Sequence, residues 1–235
     1  MEESINTKSI VLSRQDFRES DLLVSFYNAK TGKISLVARG AKKINSKLAG
    51  HTEPLNIVDL MIIRGKQYDY VGSIRNIETF SGIKNNYNKL FLATKIIKKY
   101  NKAIKDGLGE EALQVLIQDF LYFLEGANDL DSDIIYSVFL LKLSGLLGFS
   151  LSLDSCLVCN KKNKEAYKIN ISQGGIVCPS CSKRREDLTI SDNCIKMLIL
   201  AFKIDIKKLE SFVLKHNEKK EFLNIVSSFE DFHLN

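Results

Sequence analysis

Four of the five cysteines in this 235-residue chain fall in two CxxC pairs, Cys156 with Cys159 and Cys178 with Cys181. The spacing, C-x2-C-x18-C-x2-C, suits a four-thiolate zinc site. Tetrahedral zinc takes four ligands at roughly 2.3 Å, and each CxxC turn delivers two sulfurs to one face. Between the pairs "AYKINIS" alternates, "QGG" supplies a turn through Gly174 and Gly175, and "IVC" runs into the second pair, so a hairpin should bring the two turns together. Asn160 follows the first pair where a tight turn favours positive φ, which Asn tolerates better than most residues. Two other chemistries compete. A thioredoxin-like thiol pair sits at a helix N-terminus in a βαβ setting, which the hairpin pattern does not offer. Catalytic zinc keeps a coordination position open, whereas four cysteines close the shell, and no base stands near them in sequence, the histidines being His51, His216 and His233. The spacing favours one structural zinc ion. Cys194, thirteen positions beyond Cys181 in an apolar stretch, is expected to be a buried core thiol.

No other constellation suggests catalysis. There is no P-loop, GxSxG elbow, HExxH or GxGxxG, and "RGAKK" and "RGKQ" lack the spacing of phosphate loops, so no enzyme is expected. No cationic and apolar leader opens the chain, and no apolar run approaches the roughly 18 to 20 residues of a membrane span. A soluble, cytoplasmic protein is expected, in a compartment where paired cysteines bind metal or do redox chemistry rather than form disulfides. The net charge of +6 is uneven: +3 over residues 1–80, −1 over 81–155, +4 over 156–187 and zero over 188–235.

The elements that must position these groups change character near residue 80. Five β-type runs, "INTKSIVLSR", "DLLVSFYNA", "KISLVARG", "LNIVDLMIIRG" and "DYVGSIRNIETF", precede it, with "NAKTGK" as a hairpin turn ending in Gly32. Five short strands suggest a small closed barrel, because closure removes the sheet edges. Beyond residue 83 the period becomes helical. Tyr87, Leu90, Phe91, Thr94, Ile97 and Ile104 are assigned to one face of a first helix, with Lys95, Lys98, Lys99, Lys102 and Lys105 as a solvated stripe. "EEALQVLIQDFLYFLEGA" and the nearly all-apolar "DSDIIYSVFLLKLSGLLGF" follow, the latter as a central bundle helix. Ser191 can cap "DNCIKMLILAF", and "DIKKLESFVLKH" and "EKKEFLNIVSSFEDF" complete the helices. The fold class expected is α+β: a five-stranded N-terminal domain over 1–80, then a helical domain over 81–235 with a zinc-ribbon-like module at 154–187.

A small barrel with a basic rim loop suits nucleic acid, since a groove tracks phosphates while rings stack on bases. "GAKKINSKLAGHTEP" is expected to be a long mobile loop, and Arg39, Lys42, Lys43 and Lys47 in or beside it, with Arg14, are candidate DNA contacts. Arg18, Arg64 and Arg75 also end β runs. Phe17, Tyr27, Tyr68 and Tyr70 are candidate rings, whereas Phe26 fits the core. Lys183, Arg184 and Arg185, immediately after the last cysteine pair, form a second candidate cluster that zinc would hold in place. A zinc-stabilised scaffold that docks only proteins is the alternative.

Together these pieces resemble the RecO family of bacterial recombination mediators. "GKISLVARGAKKINSKLAGHTEPL" is similar to that family's barrel segment, and "LLGFSLSLDSCLVCNKK" with "QGGIVCPSC" to its second signature. The resemblance implies an OB-fold followed by a helical domain with an embedded zinc module. It implies binding of single- and double-stranded DNA, strand annealing, and work with RecR and single-strand-binding protein that lets RecA load. Asn160 stands where the family usually has Gly, and some members lack the cysteines, so zinc is not the shared working chemistry. An acidic, apolar-tipped tail of single-strand-binding protein would call for a groove in the helical domain with Lys at its edge.

Overall fold

The structure is a computed structural model that describes residues 4–162, 167–182 and 187–234. Each β-type run becomes a strand: β1 (Ser4–Asp16), β2 (Leu22–Asn28), β3 (Gly32–Ala38), β4 (Ile57–Ile63) and β5 (Tyr70–Glu78). β1 is long enough to serve two neighbours. Its first half pairs antiparallel with β4 and its second with β2, across a bulge between Val11 and Ser13 that bends the strand. A parallel contact between Val37 and Tyr70 joins β3 to β5, and the sheet closes on itself in the order β1-β2-β3-β5-β4. Its interior is apolar: Val11, Leu22, Val24, Phe26, Leu36, Ala38, Val58, Leu60 and Ile62 are buried together, with Ala41 from the segment after β3. The β2–β3 turn is built by Asn28, whose Oδ1 accepts from the N–H groups of Lys30 and Thr31, and it ends on Gly32 at φ 71°.

Three helices follow, α1 (Ser81–Lys84), α2 (Tyr87–Ala103) and α3 (Glu111–Gly126), and with the sheet they form one compact unit, Met1–Gly126. Strand thus gives way to helix after Glu78, whereas the compact units part at Gly126. The face of α2 is rotated from the one assigned from sequence. Leu92, Ala93, Ile96, Ile97 and Tyr100 are buried, while Tyr87 and Phe91 stack on each other in solvent. Lys99, placed in the solvated stripe, is buried. Tyr100 sets this phase: its ring meets that of Tyr27 edge-on, centroids 5.4 Å apart, and Tyr27 is itself in the core rather than exposed.

The second unit, Ala127–Asn235, holds α4 (Ser132–Leu146), a small sheet of β6 (Lys168–Asn170), β7 (Gly175–Val177) and β8 (Leu188–Thr189), then α5 (Asp192–Lys203) and α6 (His216–His233). α4 is buried along most of its length and packs on α5 and α6. Asp131 caps it by accepting from Ile134 N–H, and Ser191 caps α5 by accepting from Cys194 N–H. "DIKKLESFVLKH" is not an α-helix. Its buried residues, Ile206, Leu209 and Phe212, recur every third position, and Ile206–Ser211 forms a 3-10 helix, whose period is three.

Candidate metal centre and nucleic-acid interface

The cysteine module is built by local chain geometry. β6 and β7 pair as the expected hairpin, with Gly174 at φ 70° in its turn. Gly175 must lack a side chain, because a Cβ there would lie 2.6 Å from the carbonyl oxygen of Ser152, whose N–H and C=O bond to the same hairpin. Asn160 closes the first CxxC turn at φ 56°, its N–H donating to Cys156 C=O, and Cys181 and Ser182 N–H both donate to Cys178 C=O in the second. The result is that the four sulfurs of Cys156, Cys159, Cys178 and Cys181 lie within 4.8 Å of one another, a cluster able to hold a metal ion.

The donor set passes a geometric test. Ligands at roughly 2.3 Å on a tetrahedron stand about 3.8 Å apart, and Cys159 Sγ and Cys178 Sγ are 3.8 Å apart. Burial pushes the Cys156 thiol up, but the N–H groups directed at its sulfur outweigh that and bring it down to about 6. Val158 and Cys178 N–H lie 3.4 and 3.3 Å from it. Cys181 is pushed up to about 12, mainly by its contact with Cys178. Crowding thus resists a second thiolate, and a cation among the sulfurs reverses that resistance. Cys194 stands outside the cluster as a buried thiol, pushed up to about 12 by burial.

Of the candidate DNA contacts, Arg39, Lys42, Lys43 and Lys47 share the segment between β3 and β4. This segment is not the free loop expected from sequence but a run of hydrogen-bonded turns. Gly40 N–H donates to Asp21 Oδ1, Lys42 N–H to Ser20 C=O and Thr52 N–H to Leu48 C=O, while Ala41, Thr52, Leu55 and Asn56 are buried. Ordering this segment costs conformational entropy, which these hydrogen bonds and buried side chains offset.

The strand register gathers further groups at the same end of the sheet. Asp16 lies opposite Leu22, Leu22 opposite Ala38, and Val37 opposite Tyr70. The Arg39 guanidinium stands 3.9 Å from the Tyr70 ring centroid. Arg18 lies 5.0 Å from Phe17 and 5.9 Å from Tyr68, whose rings meet edge-on at 5.1 Å. Lys42 Nζ pairs with Asp16 Oδ2 at 2.7 Å, whereas Lys43 and Lys47 are exposed and make no ion pair with any described residue. The rim thus combines half-buried rings with exposed cations. Arg14 goes elsewhere, to Ala49 C=O and Glu53. Lys183, Arg184 and Arg185 lie outside the described residues, although Ser182 and Asp187 on either side are joined through Ser182 Oγ and Asp187 Oδ2 at 2.8 Å. The partnerships of Arg18 and of the two tyrosines were missed at the sequence level; the available signal was that "DFR" and "YDY" both abut strand ends.

Two cavities have opposite electrostatic character. One in the second unit, about 630 Å³, is bordered by Asp129, Asp131 and Glu210, with Lys219 paired to Asp131. One in the first unit, about 520 Å³, has an apolar floor of Leu12, Leu55, Leu90 and Ile97 and carries Arg14, Lys84 and Lys98 against Glu53. No helix among the described residues is long and apolar enough to cross a membrane.

Comparison with known proteins agrees with this layout. The chain matches the family model described as Recombination protein O N terminal over residues 1–80, and that described as Recombination protein O C terminal over residues 85–235. It is 27% identical over 231 residues to the DNA repair protein RecO of Caldanaerobacter subterraneus subsp. tengcongensis, covering 98% of this chain and 93% of that protein. The DNA repair protein RecO of a Thermoanaerobacter species is 28% identical over 233 residues, with 98% and 92% covered. That of Listeria monocytogenes is 27% identical over 225 residues, with 95% and 87% covered.

Proposed function

The chain belongs to the RecO family, and from that premise we propose that it is a non-catalytic, cytoplasmic mediator of DNA repair and recombination. It binds single- and double-stranded DNA, anneals complementary strands and, with RecR, helps RecA load onto strands coated by single-strand-binding protein. The observation that carries this is the rim of the closed sheet, where Arg39 lies on Tyr70, Arg18 lies beside Phe17 and Tyr68, and Lys43 and Lys47 stand unpaired among described residues. Cations bind phosphates and lower the repulsion between two strands, while the rings stack on unpaired bases. Such a rim on five strands is how an OB-fold holds a single strand.

The four-cysteine cluster supports one zinc ion, held by Cys156, Cys159, Cys178 and Cys181. Zinc there supplies folding energy rather than a reaction, because four thiolates leave no open coordination position. For the acidic, apolar-tipped tail of single-strand-binding protein, the groove of suitable sign is the one carrying Arg14, Lys84 and Lys98; the cavity bordered by Asp129, Asp131 and Glu210 repels it.

The test is a fluorescence strand-annealing assay on metal-replete protein, with strands bare and then coated by single-strand-binding protein. Faster annealing in both, weakened by salt, is the expected result. Binding only to proteins, with no annealing under either condition, would transfer the function to a docking scaffold.

A further inference from the structure

The basic segment ends in an apolar tip. Among the described residues Ile44 is the most exposed large apolar side chain, at 103%, ahead of Val213 at 82% and Tyr87 at 81%. Its side chain therefore packs on no described residue, and no packing among the described residues explains an isoleucine at this position. It does not sit on a loose strand of chain. Ser46 N–H donates to Lys43 C=O at 2.9 Å, which closes a turn with Ile44 and Asn45 at its tip. On one side Lys43 N–H is held by Gly40 C=O and Ala41 is buried in the core; on the other Leu48 packs on that core and its N–H donates to Ser46 Oγ. The turn thus holds Ile44 outward, and Lys42, Lys43 and Lys47 around it are exposed.

We propose that Ile44 is a wedge: it enters between neighbouring bases of bound DNA and unstacks them while the flanking lysines hold the phosphates. Lysines alone would keep DNA at the backbone, since they carry no affinity for base faces. A branched aliphatic group on a rigid cationic turn finds its apolar surroundings between base planes, the pairing of wedge and cation by which minor-groove proteins part base steps. The wedge rests on the DNA-binding function proposed above, and it adds to that function a residue that opens stacked or paired strands.

The experiment uses the full-length, metal-replete protein and short duplexes and single strands carrying 2-aminopurine at successive positions. Saturating wild-type protein should raise the 2-aminopurine fluorescence as stacking is lost. Ile44→Ser should lose that rise at saturation, with the slope of log affinity against log salt unchanged because no cation is removed. Ile44→Met should keep the rise. Both variants should retain the wild-type melting temperature, since the exposed side chain has no partner among the described residues to lose. A rise that persists in Ile44→Ser overturns the wedge and leaves the rim as a phosphate and stacking site. Failure of the wild-type protein to bind either DNA would overturn the proposed function itself, and the wedge with it.

Discussion

Converting Lys43 and Lys47 to Ala tests the rim with a magnitude that the structure sets. Both side chains are exposed and make no ion pair with any described residue, so each is free to displace a condensed cation from DNA. Each phosphate contact on a single strand contributes about 0.7 to the slope of log affinity against log salt, so the double variant should lower the slope by about 1.4. Between 50 and 200 mM salt, the ratio of wild-type to variant affinity should then shrink by about sevenfold. Lys42 should behave differently. It must leave Asp16, 2.7 Å away, before it meets a phosphate, so Lys42→Ala should lower the slope by less than either neighbour. Conversely, Asp16→Asn should tighten binding by about 1.4- to 5-fold, the range in which exposed ion pairs contribute 0.2 to 1 kcal/mol. Anisotropy titrations of a labelled oligothymidine at three salt concentrations measure all four slopes. An unaltered slope in the Lys43 and Lys47 variant would refute the assignment of phosphate contacts to this turn.

Three further outcomes follow from the rest of the molecule. Cys159→Ser, or a chelator, should remove one metal ion per chain and expose the amides of Ile169 and Ile176 to hydrogen exchange, with the amides of β2 and β4 protected as before; release to a chelator should quicken as pH falls, because protons compete for the thiolates. Glu125→Ala removes a carboxylate that accepts from Gly82 and Ile83 N–H at 2.8 Å each, and two lost charge-assisted bonds should destabilise the first unit by about 2 to 4 kcal/mol in urea unfolding. Cys194, raised to about 12 by burial, stays a neutral thiol at pH 8, so in the folded protein iodoacetamide should leave it unmodified until denaturant is added.

What could be read from sequence was what short-range pattern specifies. Alternation located all five strands because the sheet buries one face of each, and the CxxC spacing located the sulfur cluster because a turn of four residues determines its own geometry. Asn160 was legible for the same reason: positive φ is a local preference. The misassigned face of α2 shows where pattern fails. Tyr87, Leu90, Phe91 and Thr94 form as regular a stripe as the buried residues do, and the choice fell to Tyr100, whose partner Tyr27 lies 73 positions earlier. β8 escaped notice because it is two exposed residues paired with β6, a strand made by its neighbour rather than by its own composition. The rim escaped in part because its contacts join Phe17 and Arg18 to Tyr68, and Arg39 to Tyr70, pairs that only the strand register brings together.

The rim and the cysteine module are ordered by different combinations of forces. The rim is placed by burial: Ala38 and Ala41 on either side of Arg39 are in the core, and the segment carrying the lysines is anchored by Leu48 and Leu55. The cysteine module also buries apolar residues, Ile169, Ile176 and Val177 among them, but on a smaller frame. Its three strands contain three, three and two residues, and polar links such as Asn170 Nδ2 to Asp187 Oδ1 at 2.7 Å, together with the close approach of the four sulfurs, add to that burial. Asp187 joins two parts of this module, since it also accepts from Ser182 Oγ beside the last cysteine. The rim carries none of the four clustered cysteines, so a chelator should leave unchanged the part of the salt slope that the Lys43 and Lys47 variant tests.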